Sequence, residues 1–405
     1  MSHTAYPDTK TLPNPSVQGR ADVWMRSGYW WAFAAIGTLT PFITLYYRQL
    51  GLSGPRIGLL AALPSLAVAF LAPVWGAVAD RFGLHRLVLR ASFLLTALTA
   101  LGLSQVAEAS TFGFILLLVG MLAFFAAPVA ALVDSYGVSI SKRHGKSYGS
   151  LRVWGSLGYT AAVWATGWWM GESVTSAFLV AYAGCLLLAC FSTLGLPRMG
   201  EHPTGPIWGG ISTVAGNRPM LVLLLTSFLT SSGAAVMYSF LSIHLENLGG
   251  SAELIGLAFA LNAASELPVL FFGGWLLARL GSVRLLGLAI LVYAIRLVAL
   301  GALPGAEWVL VVQLLHGLSF GAFLMASVTL AHSLAGRERA ATAQGLLNSM
   351  SFGFGSITGS LIGGALLDTI GTTGIFYGAA VVVLFALGVY ALAARTFLLA
   401  GADRT

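Results

Sequence analysis

Twelve runs of predominantly apolar residues, each about as long as a bilayer is thick, leave this chain few folds to choose from. They cover 24–47, 56–79, 87–106, 112–134, 151–171, 175–196, 219–244, 254–278, 285–303, 308–332, 341–368 and 373–395. A helix needs about 20 apolar residues to cross the hydrocarbon core, and only helices or closed barrels satisfy their backbone hydrogen bonds there. With 9% charged and 57% hydrophobic residues in 405, the chain cannot clothe a water-soluble surface of its size. The expectation is an all-α polytopic membrane protein with twelve transmembrane helices.

The chain also repeats itself. The stretch Gly76-Ala77-Val78-Ala79-Asp80-Arg81-Phe82-Gly83-Leu84-His85-Arg86 returns 198 residues later as Gly274 to Arg284, with both glycines and both arginines kept. Upstream, Leu50, Gly51, Ser53, Ile57, Gly58 and Leu59 reappear as Leu248, Gly249, Ser251, Ile255, Gly256 and Leu257. Such identities at one offset mark a duplication. The expected organisation is a six-helix bundle at 24–197, a polar linker at 198–218 and a second bundle at 219–396, flanked by tails at 1–23 and 397–405.

Sidedness follows from the cations, because Lys and Arg collect in cytoplasmic loops. With a cytosolic N-terminus, the outer loops hold only Arg48 and Arg56, Arg296 lies within a span, and every other Lys and Arg falls inside. Both termini are therefore expected in the cytoplasm, with the protein in the plasma (inner) membrane and surrounded by lipid. The net charge of +7 is dispersed over these loops rather than gathered on one face, which argues against a nucleic-acid partner. Cys185 and Cys190 share one apolar run and support neither a disulfide framework nor a metal site. The sequence has no His-Glu-x-x-His, no phosphate-binding loop and no triad-like grouping, so neither an enzyme nor a cofactor is expected.

An ionisable group deep in a span costs about 2.5 to 3.5 kcal/mol on insertion scales and so faces a cavity or a partner. Glu266 precedes Arg279 by thirteen residues and Arg296 follows Arg284 by twelve, which places both roughly 18 to 20 Å from the cytosolic edge. They are expected to pair if they face each other, with Asn262 one turn from Glu266 on the same face. Asp134 and Arg152 form a shallower couple on the fourth and fifth spans. Tyr29, Trp30 and Trp31 are read as part of an interfacial aromatic belt, and His244 and Asp368 as solvated groups at outer helix ends.

Two parallel six-helix repeats are one of the architectures of secondary transporters, and here the residues acquire a family likeness. The loop Gly76, Asp80, Arg81, Gly83, Arg86 resembles the signature loop of the major facilitator superfamily, with a degenerate copy in which Ala278 replaces the aspartate. The likeness implies that Asp80 latches the two halves on the cytosolic side. Gly76 would admit a neighbouring helix, and Gly83 would close a tight turn. The stretch Tyr148-Gly149-Ser150-Leu151-Arg152-Val153-Trp154-Gly155-Ser156-Leu157-Gly158-Tyr159 resembles the oligosaccharide/proton symporters typified by lactose permease, and most closely their phenylpropionate permease-like branch. That resemblance implies a substrate clamp of Asp134 and Arg152 with Tyr159 stacking on the solute, and it weights His316, Glu266 and Arg296 as proton-coupling residues. Asn262 and Asn348 are further candidates for the cavity wall. The chain departs from the symporter pattern at Ser319, where that group has a proton-carrying carboxylate.

The expected activity is import of a small polar or anionic organic solute (an aromatic acid, a sugar or a nucleoside), coupled to protons, by alternating access in a monomer. An exporter or proton-independent facilitator on the same fold, or a non-transporting membrane sensor, stay open.

Overall fold

The computed structural model describes residues 15–107, 111–145, 147–197, 217–336 and 339–399. Outside that set lie most of the two tails, most of the linker (198–216), and Lys10, Lys146, Arg198, Arg337 and Arg404. All the regular elements among the described residues are helices. Helix α1 is Pro15–Leu39, continued after a turn by Ile43–Gln49. Then follow α2 (Gly54–Phe82), α3 (His85–Ser104), α4 (Phe112–His144, interrupted at Pro128), α5 (Tyr148–Met170) and α6 (Ala177–Ser192). The second set is α7 (Arg218–Asn247), α8 (Ala252–Phe271, resuming at Gly273), α9 (282–301), α10 (Ala306–Ala335), α11 (340–370) and α12 (372–399). Nine of the described helical stretches are long and apolar enough to cross a membrane, and the last of these, Thr342–Ala394, contains both α11 and α12. With α1 and α5 added, the arrangement is consistent with twelve spans.

The repeat is visible in the backbone. Among the described residues eight glycines adopt positive φ, and they fall into four pairs: Gly51 (76°) with Gly249 (79°), Gly83 (62°) with Gly281 (72°), Gly145 (63°) with Gly336 (74°), and Gly171 (65°) with Gly371 (68°). The first two pairs keep the 198-residue spacing of the sequence repeat. A Cβ is strained in that region, so the repeated glycines are turn-formers. Helix α4 differs from expectation by running past Asp134 to His144, where Gly145 ends it. The apolar run stops at Asp134, yet Tyr136 and Ile140 keep a buried face, and the basic last turn Lys142-Arg143-His144 suits the negative end of the helix dipole.

Each set packs in the same way: α1 on α5 and α6 and α3 on α4 and α6, then α7 on α11 and α12 and α9 on α10 and α12. Between the sets, α2 lies against α11 and α5 against α8. These contacts are closest at the end carrying Gly51 and Gly249, opposite the basic end that carries Arg81, Arg86, Arg279 and Arg284. A Cβ on Gly58 would stand 2.5 Å from the Ser360 carbonyl oxygen and 2.9 Å from Gly364 Cα, and one on Gly167 would stand 2.8 Å from Gly256 Cα. Backbone therefore meets backbone, which small residues permit between membrane helices. Gly58 and Gly256 are themselves repeat partners. Toward the basic end, the seam reaches Ala69 beside Gly353 and Phe70 beside Phe354. Beyond it, a Cβ on Gly76 would meet nothing within 4 Å, so the neighbour expected there is not in contact. The molecule is sealed at one end and parted at the other.

Two readings of the sealed end change. Asp368 is not simply solvated: its Oδ1 accepts from Arg48 Nη1 at 2.9 Å and its Oδ2 accepts from the Gly54 backbone N–H at 2.6 Å, so a carboxylate on α11 caps the start of α2. His244 is buried, bonded to Thr372 Oγ1 and to the Leu300 carbonyl, each at 2.8 Å. Asp368→Asn removes the charge from a half-exposed pair and cap. Maleimide labelling of a cysteine placed at Ser360 is expected to rise about two- to fivefold, as befits an interaction of up to about 1 kcal/mol; unchanged labelling would show that the cap does not hold the seal.

Candidate functional site

A cavity of about 510 Å³ lies between the two sets of helices. Helices α1, α2, α4 and α6 line it from one side, and α7, α9, α10 and α11 from the other. None of the described residues lining it is charged. Its polarity comes from hydroxyls such as Thr44, Ser65, Ser239 and Ser360 and from the phenols Tyr47, Tyr182, Tyr238 and Tyr293, with Phe320 and Phe352 as further rings. Phe320 and Phe352 project from two π-helical stretches, Gly317–Gly321 in α10 and Ser349–Gly355 in α11, and their rings meet edge to face at 6.3 Å. Such turns re-aim side chains and break the helical hydrogen-bond register. Ser265 Oγ of α8 accepts the Gly317 N–H at 3.0 Å. Sequence reasoning missed this wall. Its only signals are tyrosines inside apolar runs and glycine clusters, which read equally well as packing.

Behind the wall, α8, α9 and α10 bring Glu266, Arg296 and His316 together. The direct ion pair expected between Glu266 and Arg296 is not what forms, because His316 stands between them. Arg296 Nη1 lies 3.1 Å from His316 Nδ1, and His316 Nε2 lies 2.8 Å from Glu266 Oε1. A guanidinium only donates, so Nδ1 must accept. The imidazole proton is thereby placed on Nε2, from which it is given to Glu266. Arg296 is wholly buried and donates also to Ser319 Oγ and Gln313 Oε1, each at 2.7 Å. Ser319 thus serves as a neutral acceptor for the buried cation, and the nearest counter-charge in this network is Glu266, on the far side of the imidazole. Asn262 is buried one turn from Glu266, its Oδ1 without a partner among the described residues.

The Asp134 and Arg152 couple sits one turn closer to the basic end than the cavity residue Ala130. Arg152 Nε lies 3.7 Å from Asp134 Oδ1, which accepts hydrogen bonds from Tyr29 and Tyr148 at 2.9 Å each. The guanidinium rests 3.9 Å over the Phe33 ring, a stacking suited to arginine. Tyr29 is therefore fully buried against this couple rather than part of a belt, whereas Trp168 and Trp169 are exposed. Tyr159 and Asn348 do not line the cavity; Asn348 is exposed on α11. In the signature loop, Asp80 pairs with His85 at 2.7 Å, within its own half. Arg86 donates to the Thr193 carbonyl at 3.1 Å and to the Leu194 carbonyl, tying α3 to the end of α6. Arg81 lies over the Phe82 ring. Among the described residues, no cluster of acidic, histidine and cysteine side chains is suited to a metal ion.

A twelve-helix repeat sealed at one end, with a central cavity and an ionisable network beside it, defines a secondary transporter that works by alternating access. Residues 23–378 match the MFS_1 like family, and the chain belongs to it: it is a major facilitator transporter and an integral, multi-pass membrane protein. The Maltose permease of Geobacillus stearothermophilus is 30% identical over 359 residues, covering 88% of this chain and 90% of that protein. The Probable 3-phenylpropionic acid transporter of Escherichia coli (strain K12) is 25% identical over 297 residues, 72% of this chain and 77% of that protein. The crystal structure of the nucleoside transporter NupG superimposes with a TM-score of 0.82 at 17% identity, covering 92% of this chain and 98% of that one, a likeness of fold.

Proposed function

We propose that this protein imports a neutral, hydroxyl-bearing ring compound, a saccharide or nucleoside, together with protons. The observation that carries the reading is the uncharged cavity of about 510 Å³, walled by rings and hydroxyls, with a Glu266–His316 pair directly behind it. Its volume falls in the range of small-molecule sites. Rings stack on the apolar faces of a sugar or base while hydroxyls take up its polar edge. A carboxylate would enter without a counter-charge, which burial penalises heavily. The permease relative of matching length, named for maltose, supports the saccharide class.

Glu266 is the proton carrier in this reading. His316 Nε2–H donates to it whether it is ionised or protonated, so the carboxylate can load a proton without losing its anchor. Loading removes the charge that balances Arg296, and that imbalance favours return to the other conformation. Arg152 and Asp134 guard the basic mouth of the cavity, where a solute passes. With the basic end in the cytoplasm, the structure is the inward-facing state, and the Asp80 latch is the contact that would form on opening outward. The largely apolar wall favours a second reading, export of an amphipathic compound by the same machinery. Proteoliposomes loaded from outside with labelled maltose, uridine or 3-phenylpropionate, with and without an inward proton gradient, separate the two. Gradient-driven accumulation of maltose or uridine is expected. Accumulation of 3-phenylpropionate alone would overturn the neutral-solute class, and gradient-driven expulsion would establish export.

A further inference from the structure

We propose that Phe320 is the residue through which occupancy of the cavity is felt by the proton site, a role that rests on the proton-coupled reading above. The ring of Phe320 lines the cavity and on its other side lies flat against His316, with centroids 5.2 Å apart and planes 10° from parallel. His316 itself is buried and absent from the cavity wall. On the face of the imidazole that holds Glu266, the thickness of one aromatic ring therefore separates the cavity from His316.

The surroundings make that ring a movable part. Phe320 belongs to the π-helical turn Gly317–Gly321, whose backbone is held to α8 through the Gly317 N–H on Ser265 Oγ, so the motion left to Phe320 is rotation of its side chain. Its edge contact is Phe352, on the corresponding π-helical stretch of α11. The polar groups that reach His316 from the packed helices are Glu266 on α8, Arg296 on α9 and Tyr238 on α7. Tyr238 also lines the cavity, but its hydroxyl reaches the two imidazole nitrogens only at 3.3 and 3.4 Å, with the ring planes perpendicular. It cannot press on the ring face as Phe320 does. When solute holds Phe320 against His316, the imidazole is kept in the position from which Nε2 serves Glu266. When the cavity empties, the stack is free to loosen.

Linkage makes this measurable: if solute and proton bind together, solute affinity falls as pH rises, by the same factor by which solute strengthens proton binding. The probe is whichever of maltose, uridine and 3-phenylpropionate the wild type accumulates most, bound to detergent-purified protein at one acidic and one alkaline pH. The wild-type affinity ratio is expected to be about fivefold or more. Phe320→Leu, which keeps apolar bulk but cannot stack, is expected to bring the ratio below ~2 whatever it does to affinity at either pH. Phe320→Tyr should restore it. Phe352→Leu, on the same wall but off the imidazole, should alter affinity and keep the ratio. Should the leucine variant fail to purify, Phe320→Met carries the same comparison. A wild-type ratio of one overturns the proton-coupled reading itself. A wild-type ratio retained by Phe320→Leu, or lost equally in Phe352→Leu, overturns the assignment of Phe320 alone.

Discussion

Gly58→Trp is expected to abolish transport while leaving solute binding from the extracellular side intact. Even a methyl group at this position would stand 2.5 Å from the Ser360 carbonyl oxygen and 2.9 Å from Gly364 Cα. An indole has no room unless α2 and α11 separate, and in the orientation proposed above that separation is the outward-facing state. Overpacking by a few methylenes costs about 1 to 3 kcal/mol, and an indole against backbone costs more. A bias of about 5.5 kcal/mol converts a 1:99 mixture to 99:1, so the cycle stalls before the inward-facing state. Because the clash lies between the two sets of helices and not within either, each bundle keeps its packing. Gly256→Trp is the symmetric test, against Gly167 on α5. Uptake by proteoliposomes and labelling of a cysteine placed at Ser360 measure the two consequences. Full uptake by either variant would show that the glycine contact is not the outer seal.

On the proton-coupled import proposed above, Glu266→Gln is expected to convert concentrative uptake into simple equilibration. The amide oxygen can still accept from His316 Nε2, so the anchor survives, but the side chain no longer exchanges a proton. A pH difference of one unit is worth about 1.4 kcal/mol per proton, or about tenfold accumulation for one coupled proton. The variant should bring internal and external solute to the same concentration under that gradient. Persistent tenfold accumulation would move the proton site elsewhere, with Asp134 the next candidate because its Oδ1 gathers Tyr29, Tyr148 and Arg152.

Much of the membrane architecture could be read from the chain because the bilayer enforces it. An apolar run of spanning length must be helical, and Gly51, Gly83 and their partners at Gly249 and Gly281 sit where a repeated turn needs positive φ. That Glu266 and Arg296 share one level was legible for the same reason, since helical rise converts sequence distance into position and both reach His316. Depth says nothing about direction around the helix axis, however. Rotation decides that His316 separates the two charges and that Ser319 faces Arg296. Tyr29, which looked like a belt residue from its place near a helix end, turns inward to Asp134.

By itself, then, the sequence determined a duplicated, twelve-span membrane protein, the places of its turns and the heights of its intramembrane charges, all of which follow from local backbone chemistry and the thickness of a bilayer. Only the tertiary structure decided which groups touch. It put Gly58 against Gly364 and Gly167 against Gly256, bridged Arg48 and the start of α2 with Asp368, and set an uncharged wall between the central cavity and the network of Glu266, His316 and Arg296. Those contacts join residues from 89 to 320 positions apart, and they depend on the rotation and the meeting of helices, which no local pattern of apolar and polar residues encodes.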